Sequence, residues 1–251
     1  MINRLIKKAI FFKHRLQNYR VFDQTKLYEI WERQQLTRIF NRFGIDCVFD
    51  VGANHGQYAN MLRKKCGYKG LIISFEPIPD AANHLRKLSS HDPLWIIKEM
   101  ALSNKKGETT FNIMAGNQFS SISKPLHRET DLFKQNNKIE RSIIIKTDKL
   151  DNVYTEICNL YKFKKPFLKL DTQGFDVEIV NHANNCIRKF VGLQSELAVK
   201  RLYENSVYYH DAIKCYESYG FTLCAFVPNN AGHFPLLIET DCLMINEKHL
   251  D

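Results

Sequence analysis

The chain has 251 residues, 44% hydrophobic and 25% charged, with a net charge of +9; this is globular composition, enough chain for one sizeable core. Residues 1–42 hold ten Lys or Arg against three acids, seven of the nine net charges, so the nearly neutral remainder argues against a catalytic surface built for duplex nucleic acid. No apolar run approaches the ~18–20 residues that span a bilayer, and no C-x-x-C pair among the seven scattered cysteines supports a thiolate zinc site.

Residues 2–16 place Ile2, Leu5, Ile6, Ala9, Ile10, Phe12 and Leu16 on one side of a helix and Arg4, Lys7, Lys8 and Arg15 on the other, with Phe11 and Lys13 off pattern. Two readings fit this basic amphipathic helix: packing on its own domain, or peripheral contact with an anionic membrane surface. The segment has no small-residue cleavage site, so no secretory signal is expected. A second helical stretch, "LYEIWERQQLTRIFNRF", leads up to Gly44.

From residue 45 short apolar runs alternate with helical patterns. "CVFDV", "LIISFEP" and "LWIIKEM" read as strands, with helices over about 58–65 and 80–88 between them. Such alternation predicts a parallel sheet with right-handed crossovers. "TTFNIM" and "RSIIIKT" then read as strands without a crossover helix, separated by an irregular excursion over 115–140. Alternation resumes with a helix near 150–161, the strand "FLKLD", the helix "DVEIVNHA", the strand "GLQSEL", a helix around 207–219 and "FTLCAF". The last strand, "DCLMIN", follows a helix-free link, which implies an antiparallel terminal hairpin. The expected fold is α/β: a mostly parallel sheet with one antiparallel strand, plus an N-terminal helical extension. Apolar neighbours of Cys47, Cys224 and Cys242 suggest reduced core thiols and a cytoplasmic protein.

The stretch "VFDVGANHGQYANML" carries the first chemistry. In open α/β sheets a ligand sits at the carboxyl ends of the strands, and Gly52 and Gly56 let backbone approach it. Asp50 repels a pyrophosphate and so disfavours a dinucleotide oxidoreductase, whereas an ammonium and a sulfonium suit it. Glu76 ends the second strand, twenty-four residues after Gly52, where an acid accepts ribose hydroxyls. Together these point to S-adenosylmethionine.

With these residues the chain resembles the FkbM family of S-adenosylmethionine-dependent methyltransferases, of Rossmann-like class I fold. The matching segments are "VFDVGANHGQYA", "SFEPIPDAANHL", "MALSNKKGETTFNI", "TDKLD", "FLKLDTQGFDVEIVNHA" and "LLIETDCLMI", over about 46–246. Asp176 stands where the family more often has Glu. The resemblance implies a methyltransferase domain over 43–251 behind a basic helical extension over 1–42. It implies that Asp50, Gly52, Asn54 and Gly56 cradle the methionine end, Glu76 binds the ribose, and Met100, Ala101 and Leu102 lie against the adenine. Ser120 and Ser121 resemble a family turn near the cofactor. The implied activity is O-methylation of a hydroxyl, on a sugar or glycan, or else on a non-sugar secondary metabolite; a non-catalytic module that keeps the cofactor fold is the reading from another class.

A sugar hydroxyl needs a positioned base or a metal. Asp171 and Glu196 end neighbouring strands and are expected to form either a base with its orienting partner or a magnesium site of hard oxygen ligands. The competing roles are a helix cap for Asp171 and an ion pair with Lys200 for Glu196. His233, in the loop before the last strand with Asn229 and Asn230, is a rival base. His55 shapes the turn, and His210 either lines the acceptor cleft or caps a helix.

Overall fold

The computed structural model describes residues 28–228 and 235–250. The helix expected over 2–16 lies outside them, as do Asn229, Asn230 and His233.

Among the described residues ten strands and six α-helices follow in chain order: α1 (Tyr28–Phe43), β1 (Cys47–Val51), α2 (Gln57–Lys64), β2 (Leu71–Phe75), α3 (Pro79–Leu88), β3 (Trp95–Lys98), β4 (Ala101–Leu102), β5 (Gly107–Met114), β6 (Ile139–Asp148), α4 (Leu150–Tyr161), β7 (Pro166–Leu170), α5 (Asp176–Asn181), β8 (Gly192–Ala198), α6 (Tyr209–Ser218), β9 (Phe221–Val227) and β10 (Glu239–Asn246). The seven-stranded sheet runs β3-β2-β1-β7-β8-β10-β9. Every pairing is parallel except those of β10, which is antiparallel to both β8 and β9. β10 is thus the reversed strand that the sequence implied.

The central strands β1, β2 and β7 are buried on both faces. Phe49, Phe75, Leu168 and Leu170 pack with Tyr154, Phe163 and Phe190 on one side. On the other, Leu36, Ile39 and Phe40 of α1 pack on Val48, Ile72, Phe167, Leu243 and Ile245. Their spacing in α1 is the apolar stripe of a helix lying on a core. Phe40 also meets Tyr68 and Phe167 edge-on, both at 5.1 Å. The last part of the basic extension is therefore a layer of the domain. Of the cysteines expected in the core, Cys47 and Cys242 are buried and Cys224 is exposed on edge strand β9; alternation along a strand turns it outward.

The break in alternation at residue 101 builds a second sheet, β4-β6-β5, with β5 and β6 antiparallel. The excursion after β5 is irregular, as expected, but it is tied down. Leu126 N donates to Leu202 O at 2.7 Å, Asn137 Nδ2 to the same oxygen at 2.9 Å, and Arg201 pairs with Glu129 at 2.8 Å. These ties hold the segment over the carboxyl edge of the large sheet as a roof.

Three left-handed residues turn the chain after β1: Gly52 (φ 81°), Asn54 (φ 47°) and Gly56 (φ 81°). A Cβ on Gly52 would stand 1.9 Å from the Asp171 carbonyl oxygen, while one on Gly67 (φ 69°) would meet nothing within 4 Å. Gly52→Ala is expected to lose about 3 kcal/mol or more, against about 1–2 kcal/mol for Gly67→Ala, where only the left-handed backbone is strained. Urea denaturation of both variants beside the parent checks this.

Candidate active site

The face of the sheet beneath α1 and α2 changes character toward its carboxyl edge. Below, it is apolar. Above, Ser74, Asp50, Lys169 and Gln194 stand in register on β2, β1, β7 and β8, all buried. Each partner in this row is accounted for. Trp95 Nε1 donates to Ser74 Oγ and Ser74 Oγ to Asp50 Oδ2, both at 2.9 Å. Asp50 Oδ1 makes no hydrogen bond among the described residues and lies 3.7 Å from Lys169 Nζ. Gln194 Nε2 donates to Asp241 Oδ2 (2.7 Å) and to Glu32 Oε1 of α1 (2.8 Å), and its Oε1 accepts from Tyr58 at 3.0 Å.

Lys169 Nζ also lies 3.1 Å from Asp171 Oδ2 and 5.4 Å from the centre of the Tyr58 ring. Burial alone would lower the pKa of this ammonium; Asp171 and Asp50 outweigh burial and raise it. Burial pushes the Asp50 carboxyl up, and the Lys169 charge pulls against it.

Above the row opens a cleft of about 840 Å³, walled by the turn after β1, the ends of β2, β7 and β8, the start of β10, α1, and the 117–120 segment of the roof. Glu76 lines it. Its Oε2 accepts from Asn54 N and its Oε1 from Ile78 N, both at 2.8 Å. Burial raises it to about 7 against these two hydrogen bonds. At the far side the turn after β7 has left-handed backbone at Gln173 (φ 55°) and Gly174 (φ 87°). This aims the Gln173 amide between two carboxylates: Nε2 is 2.8 Å from Asp171 Oδ1 and 2.9 Å from Glu196 Oε2. Tyr203 OH lies 2.8 Å from Gln173 Oε1. Asp176 fixes the same turn from below, accepting from Thr172 N at 2.8 Å and from Ser195 Oγ at 2.8 Å. Glu239 and Asp241 complete the wall. Burial raises both to about 8, with Asp171 adding repulsion to each. Burial, then Glu239, lift Glu196 well above the usual carboxylate range.

Of the residues singled out from sequence, Gly52, Asn54, Glu76, Ala101, Asp171 and Glu196 line the cleft, together with Leu102 and Ser120. Asp50, Gly56, Met100 and Ser121 do not. Asp50 lies beneath the surface, with the Lys169 ammonium beside it. Gly56 serves packing: a Cβ there would meet Leu85 at 2.7 Å and Trp95 at 3.2 Å. Met100 packs on the core. Ser121 is fully buried and donates to Gln173 O at 2.7 Å, bracing the β7 turn from the roof. Asp171 does not take the competing role of a helix cap: its carboxylate is held by Lys169 and Gln173. Glu196 meets Gln173 rather than Lys200. A cation between Asp171 and Glu196 would have to displace the Gln173 amide, and no group of three or more His, Cys, Asp or Glu among the described residues could hold a metal ion. His55 is exposed, edge-on to His84 at 5.5 Å. His210 stacks on Tyr208 at 5.8 Å, away from the cleft.

Sequence reading passed over Lys169, Gln173, Gln194, Glu239, Asp241 and Glu32. Two signals were present. Lys169-x-Asp171 and Glu239-x-Asp241 each place two charges on one face of a strand. The reversed direction of β10 brings the start of that strand, not its end, to the catalytic edge.

Comparison with known proteins yields one family match and distant structural likenesses. The Methyltransferase FkbM domain matches residues 50–223. No curated protein matches the chain. Similar solved structures include Aeropyrum pernix fibrillarin in complex with S-adenosyl-L-methionine (13% identity, 80% of this chain and 66% of that one, TM-score 0.43). The N-methyltransferase NodS of Bradyrhizobium japonicum WM9 is similar at 9% identity, over 87% of this chain and 96% of that one, with a TM-score of 0.46. Magnesium protoporphyrin IX methyltransferase (ChlM) of Synechocystis PCC 6803, with bound SAM, is similar at 9% identity, over 95% and 91%, with a TM-score of 0.45. The chain belongs to the FkbM methyltransferase domain family, an S-adenosylmethionine-dependent methyltransferase with a mostly parallel seven-stranded sheet.

Proposed function

We propose that the protein methylates a hydroxyl group of a sugar or glycan acceptor in the cytoplasm. The observation that carries the cofactor half of this reading is Glu76: a buried carboxylate facing the cleft, with each oxygen anchored by a backbone N–H and a lone pair left for a ribose hydroxyl. The residues fit the cofactor. Asn54 and the backbone at Gly52 border its methionine end, Glu76 its ribose, and Ala101, Leu102 and Ile78 its base. Asp50 acts on that end through Lys169 and the β1 turn. The acidic lining suits a cation. Bound there, S-adenosylmethionine supplies a methyl group already activated by its sulfonium.

The chain's own task is then to align an acceptor hydroxyl and remove its proton. Asp171 and Glu196 are the side chains for it. Gln173 fixes their separation and orientation, and Lys169 supports Asp171 from below. Asp171 takes the proton and Glu196 orients the hydroxyl. A methyl acceptor with several hydroxyls, such as a sugar, matches a wall of carboxylates that accept hydrogen bonds. The basic segment over 1–27 remains the candidate for contact with an anionic membrane carrying lipid-linked sugars; among the described residues no helix is long and apolar enough to cross a membrane.

Glu76→Gln puts an amide where one of the two backbone N–H groups now finds an acceptor; calorimetric titration should show S-adenosylmethionine bound about 10-fold or more weakly, a loss of ~1.4 kcal/mol. Asp171→Asn should cut methyl transfer from labelled cofactor to a glycan acceptor pool by about 100-fold or more; unchanged transfer would remove Asp171 from the chemistry. Glu76, Glu239 and Asp241 hold protons in the native state that the unfolded chain has already released above the ordinary carboxylate range. Their contribution to stability is full at acid pH and is lost as pH rises through about 7 to 8. The urea midpoint of the ligand-free protein should therefore be lower at pH 9 than at pH 6, and Asp241→Asn should flatten the difference.

A further inference from the structure

The cleft holds more carboxyl groups than one cationic cofactor engages. Seven carboxylates line it, and Lys169 is the one basic side chain among its described lining residues, although the chain as a whole is at +9. That ammonium is already shared between Asp50 and Asp171. The carboxylates are also spread out. Strands lie about 4.8 Å apart, so the three steps from β1 through β7 and β8 to β10 carry Glu239 and Asp241 about 14 Å from the glycine turn, to the acceptor end.

Glu239 differs from its neighbours there. Asp171 accepts from Lys169 and Gln173, Glu196 from Gln173, and Asp241 from Gln194. Glu239 is 8% exposed, lines the cleft, and has no hydrogen-bond or ion-pair partner among the described residues. It also borders a recess of about 30 Å³ shared with Glu196, Tyr203 and Ser206. Its carboxyl group opens on the cleft with no protein donor among the described residues, so a ligand there meets an acceptor that no side chain already engages. Its rise to about 8 comes from burial and the repulsion of Asp171 and Asp241. No three-ligand metal group exists among the described residues, so an organic cation is the matching occupant.

We propose that Glu239, with Glu196 beside it, seats an ammonium group of the acceptor, which makes the substrate class a polyhydroxylated molecule with a free amine, such as an amino sugar. This rests on the acceptor reading above and narrows it: a phosphorylated or carboxylated acceptor meets like charge at this wall, and an N-acylated one leaves Glu239 without a counter-charge.

Enzyme saturated with S-adenosylhomocysteine is titrated calorimetrically at pH 7 with D-glucosamine, N-acetyl-D-glucosamine and D-glucose 6-phosphate. Glucosamine is expected to bind at least 10-fold more tightly than either. Glu239→Gln, which removes no existing partner, is expected to keep the thermal stability of the parent and bring glucosamine to parity with the N-acetyl compound. Equal binding of the three, no binding of the amine, or a preference unchanged in Glu239→Gln overturns the assignment. Magnesium binding that depends on Glu239, with no preference for the amine, overturns it as well. The affinity for S-adenosylhomocysteine is measured beforehand by titrating the ligand-free enzyme: no binding removes the methyl-transfer reading, whereas binding with equal acceptor affinities removes only the ammonium seat.

Discussion

A buried ammonium holds the centre of this protein. Lys169 has its charge beneath the floor of the cleft, between Asp50 on the neighbouring strand and Asp171 at the end of its own. Among the described residues neither acid has another basic partner, and removing the lysine leaves the buried Asp50 carboxyl beside Asp171 with no cation between them. The pairing is also a ruler. Because Ser74, Asp50, Lys169 and Gln194 are in register, any slip between strands would break the whole row at once. The same contacts that make the sheet unique therefore fix the glycine turn on β1 against the turn after β7, on the far side of the cleft.

Rigidity at the second turn comes from convergence. Gln173 occupies a backbone region that side chains rarely adopt, and four separate elements keep it there: Ser121 from the roof, Asp176 from α5, Tyr203 from the loop after β8, and the two carboxylates it bridges. Strain at such a position persists where the surroundings over-determine it. The irregular roof is thus a structural support of the chemistry, with Ser120 facing the ligand space and Ser121 facing the support.

Much of this was legible in the sequence because local pattern and global topology agree. Apolar runs separated by helical periods gave the parallel strands, and a helix-free link before "DCLMIN" gave the reversed one. Glu76 and the glycine turn could be read because strand ends in an open sheet have a known fate. The interior polar row could not: Asp50 looks like a ligand residue when the lysine opposite it, 119 positions later, is not yet paired with it. Gly56 and Ser121 were read toward the cofactor from their place at a turn, and the structure sets both behind the cleft lining, where they pack and brace. Glu239 and Asp241 escaped notice because they open a strand, and only the reversal of β10 carries a strand's opening residues to the catalytic edge.

Helix α1 has a further meaning. It precedes the stretch that matches the family, 50–223, yet Glu29 and Glu32 form part of the cleft wall and Glu32 grips Gln194 at the foot of it. The cofactor platform and this wall are thus encoded by separable parts of the chain. A different leading helix on the same sheet would present different side chains to the cleft while leaving the glycine turn and Glu76 untouched. One wall of the cleft can thus diversify by exchange of a segment, without any change at the strand ends opposite it.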